Sequence, residues 1–256
     1  MDKKNKKNIP NIISIILLLF FITVFAVTAS GCGETFTKTD KLCDAIEEGD
    51  NEKAKELADK MWSLNSHTFL ARFVSMFEGE AKTPLYSACK TGNSEMITYL
   101  LEHGASPNYA PYGMPYPLEI MCDMGLNAGI DSMRELLDNG ADPAKYNYKP
   151  PVYYIVWFLD YGDNYDSYIN RINMIMLLLE RGSPWTCDDP YLSLIHSAAY
   201  QRDGALMNAL LEKEESAKYI NMKNEDGKTP LDIAIEYNKP EIAMILRNHG
   251  AVEGSR

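Results

Sequence analysis

The side chains able to bind or react in this sequence are limited less by their type than by their spacing. The run Asp160-Tyr161-Gly162-Asp163-Asn164-Tyr165-Asp166 gathers carboxylates closely enough to attract a hard cation such as calcium. It lacks the alternate-position ligands and closing Glu of a calcium loop, so it reads as a solvated insertion and no metal ligand is assigned. His67, His103, His196 and His249 are scattered, and no Cys-x-x-Cys or clustered Cys/His spacing occurs, which excludes a zinc signature. Neither Gly-x-Ser-x-Gly nor a phosphate loop is present. The sequence therefore assigns no catalytic residue and no cofactor.

The elements that must carry these residues are written as a recurring phrase. It appears as Thr83-Pro84-Leu85-Tyr86-Ser87-Ala88, Tyr116-Pro117-Leu118-Glu119-Ile120-Met121, Pro150-Pro151-Val152-Tyr153-Tyr154-Ile155, Ser193-Leu194-Ile195-His196-Ser197-Ala198 and Thr229-Pro230-Leu231-Asp232-Ile233-Ala234. Successive phrases are 33, 34, 43 and 36 residues apart, the spacing of a repeat protein with insertions. Thr-Pro starts a helix, because the hydroxyl caps free N–H groups and Pro sits where its missing N–H costs nothing. After the break at Thr91-Gly92 a second helix buries Met96, Ile97, Leu100 and Leu101 on one face, and Gly104 ends it in a left-handed cap. The same stop signal ends at Gly140, Gly182 and Gly250. His103 and His249 directly precede two of these glycines, where a His suits a helix C-terminus and reads as structural.

On these residues the chain resembles the ankyrin repeat family, whose unit is a helix-turn-helix followed by a β-hairpin finger. Asn224 to Ala234 is the closest match and keeps the finger glycine, Gly227. It departs at Asp232, where the family has a His that braces the preceding loop; His196 occupies that place in its own repeat. Lys41 to Leu57 looks like a degenerate first repeat, whose Glu47, Glu48, Asp50 and Glu52 suit the polar outer face of a terminal unit. The resemblance implies an all-α ankyrin-repeat solenoid of about six helix-turn-helix units with short β-hairpin fingers, covering residues 41–256. Two segments interrupt it: 66–80, expected to form an extra amphipathic helix, and 157–172, rich in Tyr, Asp and Asn. Cys89 and Cys122 stand one repeat apart and read as small core residues. Stacked helices lie about 10 Å apart, beyond the ~7 Å Cα limit of a disulfide, so no structural bridge is expected.

Lys3, Lys4, Lys6 and Lys7 precede an apolar run from Ile12 to Val27, and Thr28-Ala29-Ser30-Gly31-Cys32 follows. Positive region, apolar core and small residues describe an export signal over 1–31, and 32–40 reads as a polar tether. Small residues before a Cys resemble the bacterial lipobox, although Ala29 departs from its usual Leu. That resemblance implies acylation of Cys32 and a lipid-anchored protein at the cell membrane or outer membrane, facing the periplasm or exterior. Soluble secretion and an uncleaved anchor helix are the other two readings. In all three the lysines hold the N-terminus inside and the repeats lie across the membrane.

Charge narrows the partners. The chain holds 25 basic and 36 acidic residues, net −11, and removing the leader's four Lys and one Asp leaves 21 and 35. No basic stripe exists to neutralise phosphates, which excludes nucleic acid, and the acidic excess serves solubility. The resemblance leaves a protein partner held on a concave face made of finger tips and first helices. Carried over unit by unit, the contact places are Lys82, Lys90 and Thr91, then Tyr112, Asp123 and Met124, then Tyr146, Trp157 and Phe158, then Tyr200, Gln201, Glu236 and Tyr237. The centre of this row is aromatic and mildly acidic, the composition of an interface core; burial of Trp157 and Phe158 under the inserted segment is the competing reading. The alternative roles are an envelope scaffold, or the toxin-immunity and oxidative-stress support associated with bacterial ankyrin proteins of similar layout.

Replacing Cys32 with Ser is expected to abolish acylation, since no other residue at the cleavage site offers a thiol for the lipid. Metabolic labelling with a clickable fatty acid reads the outcome, and label retained by the Ser variant removes the lipoprotein reading.

Overall fold

The computed structural model describes residues 32–65, 82–124, 129–157, 165–187, 193–201 and 203–254, and of these all side chains except those of 32–37, 112 and 165–167. The leader 1–31 and the expected amphipathic helix at 66–80 lie outside the described residues. The described chain is helical throughout: α1 Cys32–Glu48, α2 Asn51–Asp59, α3 Pro84–Thr91, α4 Ser94–Glu102, α5 Pro117–Asp123 and α6 Gly129–Asp138. There follow α7 Pro151–Trp157, α8 Tyr165–Glu180, α9 Leu194–Gln201, α10 Gly204–Leu211, α11 Pro230–Glu236 and α12 Pro240–Asn248. Among them no helix is long and apolar enough to cross a membrane.

Each odd-numbered helix packs on the even-numbered helix that follows it, and the helices also stack in two rows: α1, α3, α5, α7, α9, α11 in one, α2, α4, α6, α8, α10, α12 in the other. The local signals explain the starts and stops. Thr83 Oγ1 accepts from the Tyr86 N–H at 3.0 Å, and Asn93 and Asp203 cap α4 and α10 through Met96 N–H at 3.2 Å and Leu206 N–H at 2.8 Å. Gly104, Gly140, Gly182 and Gly250 have φ of 89°, 88°, 96° and 86°. The residue after each donates its N–H back to the last helical turn at 2.9 to 3.0 Å, as in Ala105 to Leu100 and Ala251 to Leu246.

One hydrophobic core runs the length of the stack, fed by the same face of every second helix: Met96, Ile97 and Leu100, then Met133 and Leu136, then Met174, Ile175 and Leu178, then Leu206, Met207 and Leu210. Cys89 and Cys122 are fully buried in it, as their repeat positions require.

Two expectations are corrected. The finger loops form no strand among the described residues; the Thr186–Ser193 pair makes an isolated antiparallel bridge. The cause is in the loop composition. Pro107, Pro111, Pro115, Pro143 and Pro150 have no N–H for a ladder, and neighbouring N–H groups are taken by side chains. The polar segment 32–40 is also not a free tether. It is the first part of α1, and by Thr39 its side chains are already buried. The segment 157–172 is divided: Trp157 ends α7, 158–164 lie outside the described residues, and 165–172 open α8.

Leu100 is fully buried, so Leu100→Ala is expected to cost about 2 to 5 kcal/mol. At Gly104 no atom lies within 4 Å of where a Cβ would stand, so Gly104→Val tests backbone conformation alone. A loss of about 1 to 2 kcal/mol is expected there. Urea denaturation checks both, and parental midpoints in both variants would refute the stacked register.

Candidate functional site

In four units the loop between helix pairs is placed by one side chain two residues beyond the phrase's Pro position. In α5 it is Glu119, fully buried, whose carboxylate accepts the Tyr116, Asn147 and Tyr148 N–H groups, each at 3.0 Å. In α7 the Tyr153 hydroxyl donates to the Trp185 carbonyl at 3.1 Å. In α9 the His196 Nε2–H donates to the Lys228 carbonyl at 3.2 Å. In α11 Asp232 accepts the Thr229 N–H at 2.8 Å and the Gly254 N–H at 3.0 Å. Glu119 and Asp232 also hold the N–H before their own helix, but all four side chains reach forward into the segment that follows the helix pair, where the resemblance had implied only the preceding loop. A carboxylate is acceptor-only and suits a nest of N–H groups, whereas Tyr and a neutral His donate to a carbonyl.

A second set of braces went unread in the sequence. Asn65 Oδ1 accepts the Ser106 N–H at 2.7 Å; Asn108 accepts the Asp142 N–H at 2.9 Å and donates to the Gly140 carbonyl at 2.6 Å. Asn221 repeats this with Val252 N–H at 2.8 Å and the Gly250 carbonyl at 3.3 Å. The available signal was an Asn one unit before each Gly-x-x segment.

Ser193 and His196 form the pair most suggestive of catalysis, with Oγ and Nδ1 2.7 Å apart. The geometry assigns it to structure. Nε2 donates to Lys228, so Nδ1 accepts from Ser193, and both residues are fully buried beyond reach of a substrate. Burial holds the His196 pKa below its ordinary value, against the hydrogen bonds to the Lys228 and Met222 carbonyls that favour its protonated form. For Asp232 burial acts upward, but the Thr229 and Gly254 N–H groups and the Thr229 hydroxyl outweigh it and its pKa is lowered. Among the described residues no group of three or more His, Cys, Asp or Glu could hold a metal. His103 and His249 use Nδ1 to donate to the carbonyls of Tyr99 and Ile245, at 2.7 and 2.9 Å.

Of the proposed contact places, Lys90, Thr91, Asp123, Met124, Trp157, Tyr200, Gln201, Glu236 and Tyr237 lie in or at the ends of first-row helices, and Lys82 and Tyr146 lie in loops. Met124, Trp157 and Tyr237 are exposed, 57%, 43% and 47% respectively. Tyr200 is half-buried and meets Tyr237 edge-on at 4.9 Å between ring centroids, which shows that residues of adjacent units touch along the row. Lys90, Asp123, Tyr146 and Gln201 are half-buried, and Thr91 is turned to its own helix, its hydroxyl donating to the Ser87 carbonyl at 2.9 Å. Lys82 and Glu236 are held in ion pairs, with Glu47 at 2.9 Å and Lys228 at 2.6 Å. Tyr112 belongs to a short 3-10 turn, Pro111–Gly113; its side chain and all of Phe158 lie outside what is described, as do residues 160–164 of the acidic loop. The row is aromatic as expected but carries lysines on its rings. Lys90 lies 5.9 Å from the Tyr86 centroid, Lys145 4.9 Å from Tyr116, Lys149 4.9 Å from Tyr154 and Lys239 5.0 Å from Tyr200. Tyr148, the most exposed Tyr of this face at 64%, was missed because nothing in the sequence shows that its N–H is pinned from beneath.

The chain matches the family described as ankyrin repeats (3 copies), over residues 42–147 and 166–255. It is 25% identical over 186 residues to the human transient receptor potential cation channel subfamily A member 1, spanning 66% of this chain and 15% of that protein. Among solved structures it is similar to an ankyrin repeat domain from Acinetobacter baumannii AYE, at 17% identity and a TM-score of 0.64 over 82% of this chain and 98% of that one. It is also similar to the ankyrin repeat domain of Bcl-3, described as a unique member of the IkappaB protein family. That match has 18% identity and a TM-score of 0.62 over 83% of this chain and 86% of that one.

Because the folded His196 pKa is lowered, the unfolded chain takes up this proton first as pH falls. Stability is therefore expected to be full above the unfolded His value of about 6.5 and to decline below it until the folded value is reached. Asp232 contributes its loss only at lower pH, below the ordinary carboxylate value. Thermal melts from pH 8 to 5 on the parent and on His196→Gln check this: the decline should be smaller in the Gln variant.

Proposed function

This chain belongs to the ankyrin repeat family, and from that premise we propose that it is an exported, membrane-anchored array of six such units that holds a protein partner and performs no reaction. Ankyrin repeats generally mediate protein–protein interaction. The human channel is matched over 15% of its length, so only the repeats are shared and its channel activity is not carried across. The export and anchor reading rests on the lysine-led apolar run and on Cys32 behind small residues.

The single observation that carries the binding reading is the row of exposed apolar and aromatic side chains, Met124, Tyr148, Trp157 and Tyr237, on braced loops and helix ends of one helix row. Large side chains of this kind, exposed at the ends of first-row helices and in the loop before α7, are those that anchor interfaces. Rigid braces lower the ordering cost of binding, since the loops are already in place. Anchoring through Cys32 would then raise the local concentration of array and partner at one surface.

The test is capture from cross-linked membranes with the full chain as bait, comparing the parent with a Trp157→Ala, Tyr237→Ala double variant. The double variant is expected to lose more than about 2 kcal/mol of partner affinity, because central aromatic anchors carry much of an interface's energy. Its melting temperature should barely move. A partner held equally by both variants would remove this face from the interface, and recovery of only the chain's own copies would favour the scaffold role instead.

A further inference from the structure

Two lysines of the loop between α6 and α7 hold their charges on aromatic rings, as Lys90 and Lys239 also do in the first-helix row. Lysines of the second-helix row end on carboxylates, as Lys55 does on Glu95 at 2.5 Å and Lys213 on Glu180 at 2.6 Å. Lys145 and Lys149 end on rings, at 4.9 Å over Tyr116 and Tyr154, and neither has a carboxylate within ion-pair distance among the described residues. Among the described residues the only hydrogen-bond acceptor of either is the Asn108 carbonyl, 3.4 Å from the Lys145 ammonium.

The backbone between these lysines is fixed. Glu119 takes the Asn147 and Tyr148 N–H groups from below, and the Asn147 side-chain amide donates to the Met114 carbonyl at 2.6 Å. This leaves Tyr148 64% exposed, in the same loop as the two lysines whose ammonium groups rest on aromatic faces. A cation over a ring is held in position and partly dehydrated, yet its charge is not neutralised. Such a group accepts a carboxylate at lower ordering cost than a freely rotating surface lysine.

We infer that Lys145, Lys149 and Tyr148 form the docking point for an acidic stretch of the partner protein, with carboxylates seated on the two ammoniums and an apolar group against the Tyr148 ring. This rests on the first-helix row being the partner face, and it gives that face a charge preference opposite to that of the chain as a whole.

The probe is a random dodecapeptide display library selected on the full-length chain. Enriched peptides are expected to carry two or more Asp or Glu, and their affinity should fall about tenfold or more in Lys145→Glu, Lys149→Glu, the loss expected for hydrogen bonds to charged groups. The Gln pair should fall less than the Glu pair, and circular dichroism should match the parent, since neither lysine is buried. Peptides lost on Trp157→Ala, Tyr237→Ala but indifferent to both lysine pairs would overturn this inference and leave the face intact. Peptides indifferent to all four substitutions would overturn the face as well. Displacement of the selected peptides by single-stranded oligothymidylate more readily than by a Glu-rich peptide would make the site a phosphate-binding one and also overturn the inference.

Discussion

The array depends on a forward brace. Packed helix pairs alone would leave the long loops between units as hinges, because those loops form no ladder of their own among the described residues. In four units a buried or half-buried polar side chain near the start of the first helix removes that freedom by bonding to main-chain groups beyond the second helix. Glu119, Tyr153, His196 and Asp232 do this with three chemistries, carboxylate, phenol and imidazole. Each buried partner would be costly to leave unmet, about 1 to 3 kcal/mol for an orphaned group. Loop geometry is thereby tied to core packing, and whatever the loops display is displayed rigidly.

The linkage is local. Each unit touches its neighbours in the two rows, and no contact described here joins distant units. Stability in such a stack is a sum of unit and interface terms, and the terminal units have the weakest support. At the C-terminal side, Gly254 lies against Asp232, where an added Cβ would come within 2.8 Å of its carboxylate. The segment 250–254 thus fills, for the last helix pair, the place that the following unit's loop fills for the others.

Helix starts, glycine stops and the core face of each second helix were legible in the sequence, because Thr-Pro, left-handed Gly and apolar spacing act within a few residues. The register follows from them, and it placed Leu100, Cys89 and Cys122 in the core. What escaped was set by groups about thirty residues apart. That Glu119 would be wholly buried follows only once Asn147 and Tyr148 are seen above it; in isolation it reads as a helix-capping residue. The candidate site was legible to the level of a row, since Met124, Trp157 and Tyr237 emerged from unit-by-unit placement. Tyr148 and the ring-seated Lys145 and Lys149 were not, because they depend on loop conformation. The polar composition of 32–40 suggested a tether, but burial beginning at Thr39 extends the helix through it.

The four described cysteines are buried with free thiols, and they are spread along the array: Cys43 in α1, Cys89 in α3, Cys122 in α5 and Cys187 ahead of α9. Burial pushes the Cys43 thiol up to about 12, and raises Cys89 and Cys122 as well. The thiolate is the reactive form, so each site is silent toward alkylating reagents while its unit is closed. The molecule consequently contains its own gauges of local opening. Their separate labelling rates would give the free energy of opening at four stations along the stack, and would show whether a bound partner stiffens the units beneath it or the whole column.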